Sequence, residues 1–276
     1  MKLQIKRWFS QILFFFTANL GIAGIKTGFC FPFFYCHACP SASAACPIRS
    51  LEISVYKVFK NSASFSIQFL LYPLLILWTV GLMSGRAICG WACPFGLLQR
   101  LTTKPARWLK NKYPKLKSFD RSKADRSLRY TKYAVLITLV FLIPAFIGFM
   151  FTDICPNGVL FGTIPIMLLN PGQYVPASYF YPALVVFILF FILIFTIERG
   201  WCRYLCPVGA LLAPFNKISY LSVDVDKEEC IHCNACSNVC PMAIDVPNMN
   251  RDLECIYCGK CVSACPKSII EFRRLK

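Results

Sequence analysis

Cys230, Cys233, Cys236 and Cys240 are followed by Pro241, and Cys255, Cys258, Cys261 and Cys265 by Pro266. Both runs read C-x2-C-x2-C-x3-C-P. Thiolates in that register ligate cubane 4Fe–4S clusters, which pass electrons. A single C-x-x-C would say little, but eight cysteines in two identical runs leave almost no other physical reading. Two clusters are therefore expected near the C-terminus. Their chemistry is outer-sphere, so the protein's part is ligation, spacing and dielectric. The sequence has no C-x-x-C-H haem attachment, no glycine-rich dinucleotide fingerprint and no P-loop, which argues against a haem, flavin or nicotinamide partner for these thiolates.

The elements that must position them are apolar. Of 276 residues, 57% are hydrophobic and 15% aromatic, and the mean hydropathy is +0.54. That composition points to an α-helical membrane protein, with lipid as its first partner. The net charge of +17 fits a face against anionic lipid or an acidic redox partner better than nucleic acid, because the charge lies between apolar runs. Four runs approach the length needed to cross a bilayer: 8–27, 65–83, 133–151 and 181–197. The first also has the order of a signal peptide, with Lys2, Lys6 and Arg7 before an apolar stretch. The small residues at 41–45 lie too far downstream, so retention is expected.

Loop charges orient the spans. Segment 84–132 carries thirteen Lys and Arg, 31–64 carries three (Arg49, Lys57, Lys60) and 152–180 carries none. Hence residues 1–221 are expected to form a four-helix transmembrane domain of the inner membrane. Its basic loop 84–132 and both termini would be cytoplasmic, and a cysteine-rich loop 30–64 would lie outside. Segment 48–59 alternates apolar and polar residues and reads as a piece lying flat on the outer surface.

The membrane part repeats. Arg86, Cys89, Cys93, Pro94 and Gly96 match Arg199, Cys202, Cys206, Pro207 and Gly209, both as R-x-x-C-x-x-x-C-P-x-G, with Trp91 and Tyr204 two residues after the first cysteine. In the outer loops Cys39-Pro40 precedes Cys89 by 50 residues and Cys155-Pro156 precedes Cys202 by 47. The pattern is a twofold internal repeat of span, outer loop, span and inner cysteine pair. Both copies run the same way, as in parallel repeats about an axis along the membrane normal. Cysteines four apart share a helix face, so Cys89, Cys93, Cys202 and Cys206 could meet around a third cluster. Free thiols packed as small apolar groups, or a reversible dithiol, are the other readings.

Paired C-x-x-x-C-P helices followed by two ferredoxin runs resemble the NapH/MauN-type membrane iron–sulfur proteins. They are also similar to the membrane part of the NosR regulators and to the RdxA/FixG group. The resemblance covers roughly residues 65–276. It implies a membrane component of a quinol dehydrogenase, working with other redox subunits and with quinone. It also implies that Cys89, Cys93, Cys202 and Cys206 are the family's cysteine pairs. Segment 222–276 resembles an α+β bacterial two-cluster ferredoxin, in which the fourth cysteine of each run serves the other cluster. By that likeness Cys230, Cys233, Cys236 and Cys265 hold one cluster, and Cys255, Cys258, Cys261 and Cys240 the other. Ala243, Ile244, Ile269 and Ile270 would keep both dry.

Cys30, Cys36, Cys39 and Cys46, joined by Cys155, depart from that pattern at the outer face. They read as a further cluster, which would make the chain a transmembrane wire, or as disulfides in an oxidising compartment. His37 is a candidate quinone or metal contact, and His232 receives no ligand role. Glu198 reads as a proton acceptor for quinol or as an ion-pair partner of Arg86 or Arg199. The function expected is electron transfer between the quinone pool, or an extracytoplasmic partner, and cytoplasmic clusters. The alternatives are an accessory of the RdxA/FixG sort that reduces a metal under assembly, or a cysteine-based redox sensor. The direction of flow is not written in the sequence.

Overall fold

The computed structural model describes residues 2–27, 30–35, 42–60, 67–113, 119–169 and 178–274. Cys36, His37 and Cys39, and with them the Cys39-Pro40 half of the outer repeat, lie outside the described residues.

Helices stand where the apolar runs are: Lys2–Ala18, Ile67–Ser84, Lys123–Phe146 and Phe180–Thr196. Among the described residues Lys123–Phe146 alone is long and apolar enough to cross a membrane, by length and composition, while Leu70–Ser84, Pro156–Leu168 and Phe180–Thr196 are shorter apolar helices. One such helix does not show the four crossings expected, and the shorter lengths have local reasons. The first run leaves the α-helix at Ala18 for a 3₁₀ turn over Leu20–Ala23, closed by left-handed Gly24. Phe180–Thr196 has 17 residues, about 25 Å of rise. Two of these shorter helices present apolar side chains outward, among them Leu75 and Trp78 on Ile67–Ser84 and Tyr181, Val185 and Leu189 on Phe180–Thr196.

Ile67–Ser84 and Phe180–Thr196 each turn inward through a left-handed residue, Gly85 (φ 54°) after the first and Arg199 (φ 55°) after the second. Each then leads into a pair of short helices, Ala87–Trp91 and Pro94–Leu101 in one copy, Gly200–Tyr204 and Pro207–Leu212 in the other. The repeated C-P-x-G has a local cause. Cys93 (φ −64°, ψ 118°) and Cys206 (φ −70°, ψ 113°) are extended N-caps, each followed by proline at the first helical position. Their sulfurs accept the Gly96 and Gly209 N–H groups, both at 3.4 Å. Cys46-Pro47 and Cys155-Pro156 share the extended N-cap and following proline, without the sulfur cap, and open the helices Pro47–Phe59 and Pro156–Gly158. Among the described residues Cys46 thus shares the local geometry of Cys155.

Residues 222–274 form the head. Leu221–Val225 and Ile270–Arg274 pair antiparallel, Val223 opposite Phe272. The two cysteine runs fold alike. His232 and Tyr257, Asn234 and Gly259, and Ala243 and Ser268 all have positive φ, at matched places in the two runs. The linker to it is short, a 3₁₀ turn over Pro214–Lys217 that ends just before Leu221. Tyr220 N–H donates to the Leu82 carbonyl (2.8 Å), and buried Asn216 Nδ2 donates to the carbonyls of Asp252, Leu253 and Cys255 at 2.8–3.2 Å.

Candidate iron–sulfur sites

Two cavities occupy the head. One is lined by Cys255, Cys258, Cys261 and Cys240, the other by Cys230, Cys233, Cys236 and Cys265. Each cavity thus joins the first three cysteines of one run to the fourth of the other. Ile244 lines the first cavity, Ile269 and Ile270 the second. Left-handed residues stand between the cysteines of both runs, at His232 and Asn234 and at Tyr257 and Gly259, the kind of backbone turn from which anion-binding concavities are built. Burial pushes the thiols of Cys240 up to about 11 and Cys261 up to about 12, so these sulfurs would be neutral unless a metal took the protons. Among the described residues no three Cys, His, Asp or Glu side chains close on a single ion. A cubane instead spreads its thiolates over separate irons, and the donor sets fit that group.

The inner cysteines converge from the two copies. Cys89, Cys93 and Cys206 are buried in one core with Phe95, Trp201, Ile256, Tyr257 and Cys258, and Cys202 is buried as well. Arginines cross between the copies. Arg199 Nη1 donates to the Cys89 carbonyl (3.0 Å), and Arg86 Nη2 donates to the Cys202 carbonyl (3.2 Å). Gln99 Nε2 points at Cys202 Sγ (3.2 Å). Gly96 and Gly209 allow these approaches, since a Cβ at Gly96 would lie 2.8 Å from Arg199 Nη1 and one at Gly209 3.0 Å from Arg86 Nη2.

The head meets this centre without a gap. A Cβ on Gly90 would collide with the Ile256 carbonyl. Trp91 Nε1 donates to the Tyr257 carbonyl (2.8 Å), and Gln4 Nε2 to the Cys258 carbonyl (3.2 Å). Arg7 Nε donates to the Gly90 carbonyl (2.7 Å). Arg86 Nη1 reaches the Leu253 carbonyl and Glu254 Oε2, each at 3.0 Å, and Lys132 takes the other Glu254 oxygen. Burial alone would raise the Glu254 carboxyl, but Arg86 and Lys132 outweigh it and hold the group below its usual range. The cavity with Cys258 therefore faces the inner pairs, and the other, with exposed Cys233 and His232, faces away.

Sequence reasoning missed the crossed arginines, Gln4, Gln99 and Glu254. Repetition of arginine three residues before each first cysteine was the available signal for the arginines. Glu198 pairs with neither Arg86 nor Arg199. Arg107 Nε holds its Oε1 at 2.8 Å, because the two other arginines are drawn inward to carbonyls.

Of the cysteines expected at an outer face, Cys30, Cys46 and Cys155 are buried, and no disulfide joins the described cysteines. Cys30 Sγ donates to the Ala45 carbonyl (3.5 Å), and burial pushes its thiol up to about 12. Segment 48–59 is a helix with one face inward, including Glu52. Glu52 Oε2 accepts from Thr152 Oγ1, and buried Oε1 has no partner. Burial pushes the Glu52 carboxyl up to about 7. The folded chain thus holds this proton more tightly than the unfolded chain, so stability falls as pH rises from about 4.5 to 7. Glu52→Gln should abolish that fall and be the more stable form at pH 8, by on the order of 3 kcal/mol. Thermal unfolding of both proteins at pH 5 and pH 8 checks this.

These sites define a ferredoxin-type iron–sulfur electron-transfer protein, mostly helical, with its dicluster domain at the C-terminus and 4Fe–4S clusters as cofactors. The family model for a 4Fe–4S binding domain matches residues 67–115 and 179–221, and that for a 4Fe–4S dicluster domain matches 222–266. An uncharacterized protein of Methanocaldococcus jannaschii is 28% identical over 66% of this chain and 69% of its own. The methylamine utilization ferredoxin-type protein MauN of Methylorubrum extorquens is 30% identical over 70% of this chain and 60% of its own, and the ferredoxin-type protein NapH of Escherichia coli is 26% identical over 56% and 47%. The chain thus spans about half to two thirds of the length of these relatives. No solved structure matches it. It is a 4Fe–4S ferredoxin of the NapH/MauN type.

Proposed function

We propose that the protein is a membrane-bound electron-transfer subunit. It carries electrons between the quinone pool, or an extracytoplasmic partner, and a redox subunit at the distal end of the head. In this reading four helices, in two parallel copies, hold the inner cysteines at the cytoplasmic face. The outward apolar rows on Ile67–Ser84 and Phe180–Thr196 support it, since exposed rows of that size belong against lipid or a partner. So does the basic loop 84–132 beside the head. The ligands are Cys89, Cys93, Cys202 and Cys206 for an inner centre, Cys255, Cys258, Cys261 and Cys240 for a proximal one, and Cys230, Cys233, Cys236 and Cys265 for a distal one.

One observation carries the reading: both segments matched by the 4Fe–4S binding domain contain an inner cysteine pair, and the helix that holds Cys89 packs directly against the Cys258 loop. Bound clusters supply one-electron carriers at those positions. The residues around them ligate, exclude water and fix spacing. Exposed Cys233 makes the distal centre the exit, with Asp226, Glu228 and Glu229 at its rim. Iron and sulfide analysis of anaerobically purified protein tests this. Three centres give ~12 irons per chain, and ~16 if Cys30, Cys36, Cys39, Cys46 and Cys155 hold another. Cys93→Ser with Cys202→Ser should remove ~4 irons and leave the head spectra intact. A wild-type value of ~8 irons would overturn the inner centre. Menaquinol that fails to reduce any centre would overturn the quinone assignment.

A further inference from the structure

Arg7, Arg86, Lys132 and Arg199 are each 0–1% exposed around the inner cysteines, and Glu254 is the carboxylate that faces them. It serves Arg86 and Lys132. Among the described residues no carboxylate pairs with Arg199 or Arg7. Arg199 spends Nη1 on the Cys89 carbonyl, while its buried Nη2 has no hydrogen-bond partner, and the same is true of Arg86 Nε. Burying unpaired charge is among the most costly arrangements a fold can hold. Neutral thiols would not offset it. An anionic centre on the four cysteines would.

We propose that Arg199, with Arg86 reaching across from the other copy, is the counter-cation that sets the reduction potential of the inner centre. This rests on the inner centre proposed above. Reduction adds one negative charge to the centre, and a fixed buried cation beside the ligand Cys89 favours that state. The pairing is crossed, each arginine holding the first cysteine of the opposite copy. The same contacts therefore fix the two halves of the ligand set relative to one another. Arg199 acts here through charge and position and touches no electron donor or acceptor.

EPR-monitored redox titration of the intact protein in detergent tests the proposal. Arg199→Gln should lower the inner centre's reduction equilibrium at least tenfold, about 59 mV for a one-electron couple, with the distal centre unmoved. Arg199→Lys should stay near the wild type. Glu254→Gln should shift the inner centre the opposite way, and gives a second readout should Arg199→Gln fail to assemble. A full complement of iron with an unmoved inner potential in Arg199→Gln, or a downward shift in Glu254→Gln, would overturn the role of the cations. A wild type with only the two head centres would sink the site itself, a failure that iron analysis separates from the first.

Discussion

Glu254→Ala should cost about 3–5 kcal/mol, because it leaves Arg86 and Lys132 buried without their shared carboxylate. The loss should fall at one place. Arg86 also holds the Leu253 carbonyl and the Cys202 carbonyl, so it ties the head to the second inner pair. Once the carboxylate is gone, the head should part from the helical layer before either unfolds. Limited proteolysis across 214–222, read beside thermal unfolding, would detect this. The wild type should show a related loss in acid. The Glu254 carboxyl is held below its usual range, so its stabilisation is complete above the unfolded value of about 4.5 and is lost as pH falls below that. A variant with wild-type unfolding and wild-type proteolysis would show that the ion pairs contribute nothing to docking.

Cys258→Ser should remove the proximal centre, ~4 irons per chain, and with it the step between the inner and distal sites. Cys258 lines the cavity that faces the inner cysteine pairs, and its carbonyl accepts Gln4 Nε2. The expected result is a distal centre that dithionite still reduces but that no longer fills from the membrane side. Because each cavity draws a cysteine from both runs, cluster binding and head folding are coupled. The head should therefore also lose thermal stability. If the distal centre still fills at the wild-type rate from the membrane side, the order of centres is wrong.

The chemistry was legible because it is local in sequence. The C-x2-C-x2-C-x3-C-P register marks the eight cysteines as cluster ligands, and proline after each final cysteine marks where a helix or turn begins. The doubled R-x-x-C-x-x-x-C-P-x-G was legible for the same reason, and its cap geometry recurs in both copies. The membrane layer was less so. Hydropathy locates apolar runs but not where a helix stops, and Gly24, Gly85 and Arg199 end or turn three of them.

What the sequence determined by itself is the cysteine register of the head, the repeated R-x-x-C-x-x-x-C-P-x-G and the apolar character of the scaffold. Each follows from spacing along the chain. What only the tertiary structure decided is which charges meet which carbonyls. Arg199 reaches Cys89, Arg86 reaches Cys202 and Glu254, and Glu198 is left to Arg107. Side chains some 90 to 170 positions apart meet there. Such pairings depend on burial and on how two copies pack together, and no periodicity in one strand of text encodes them.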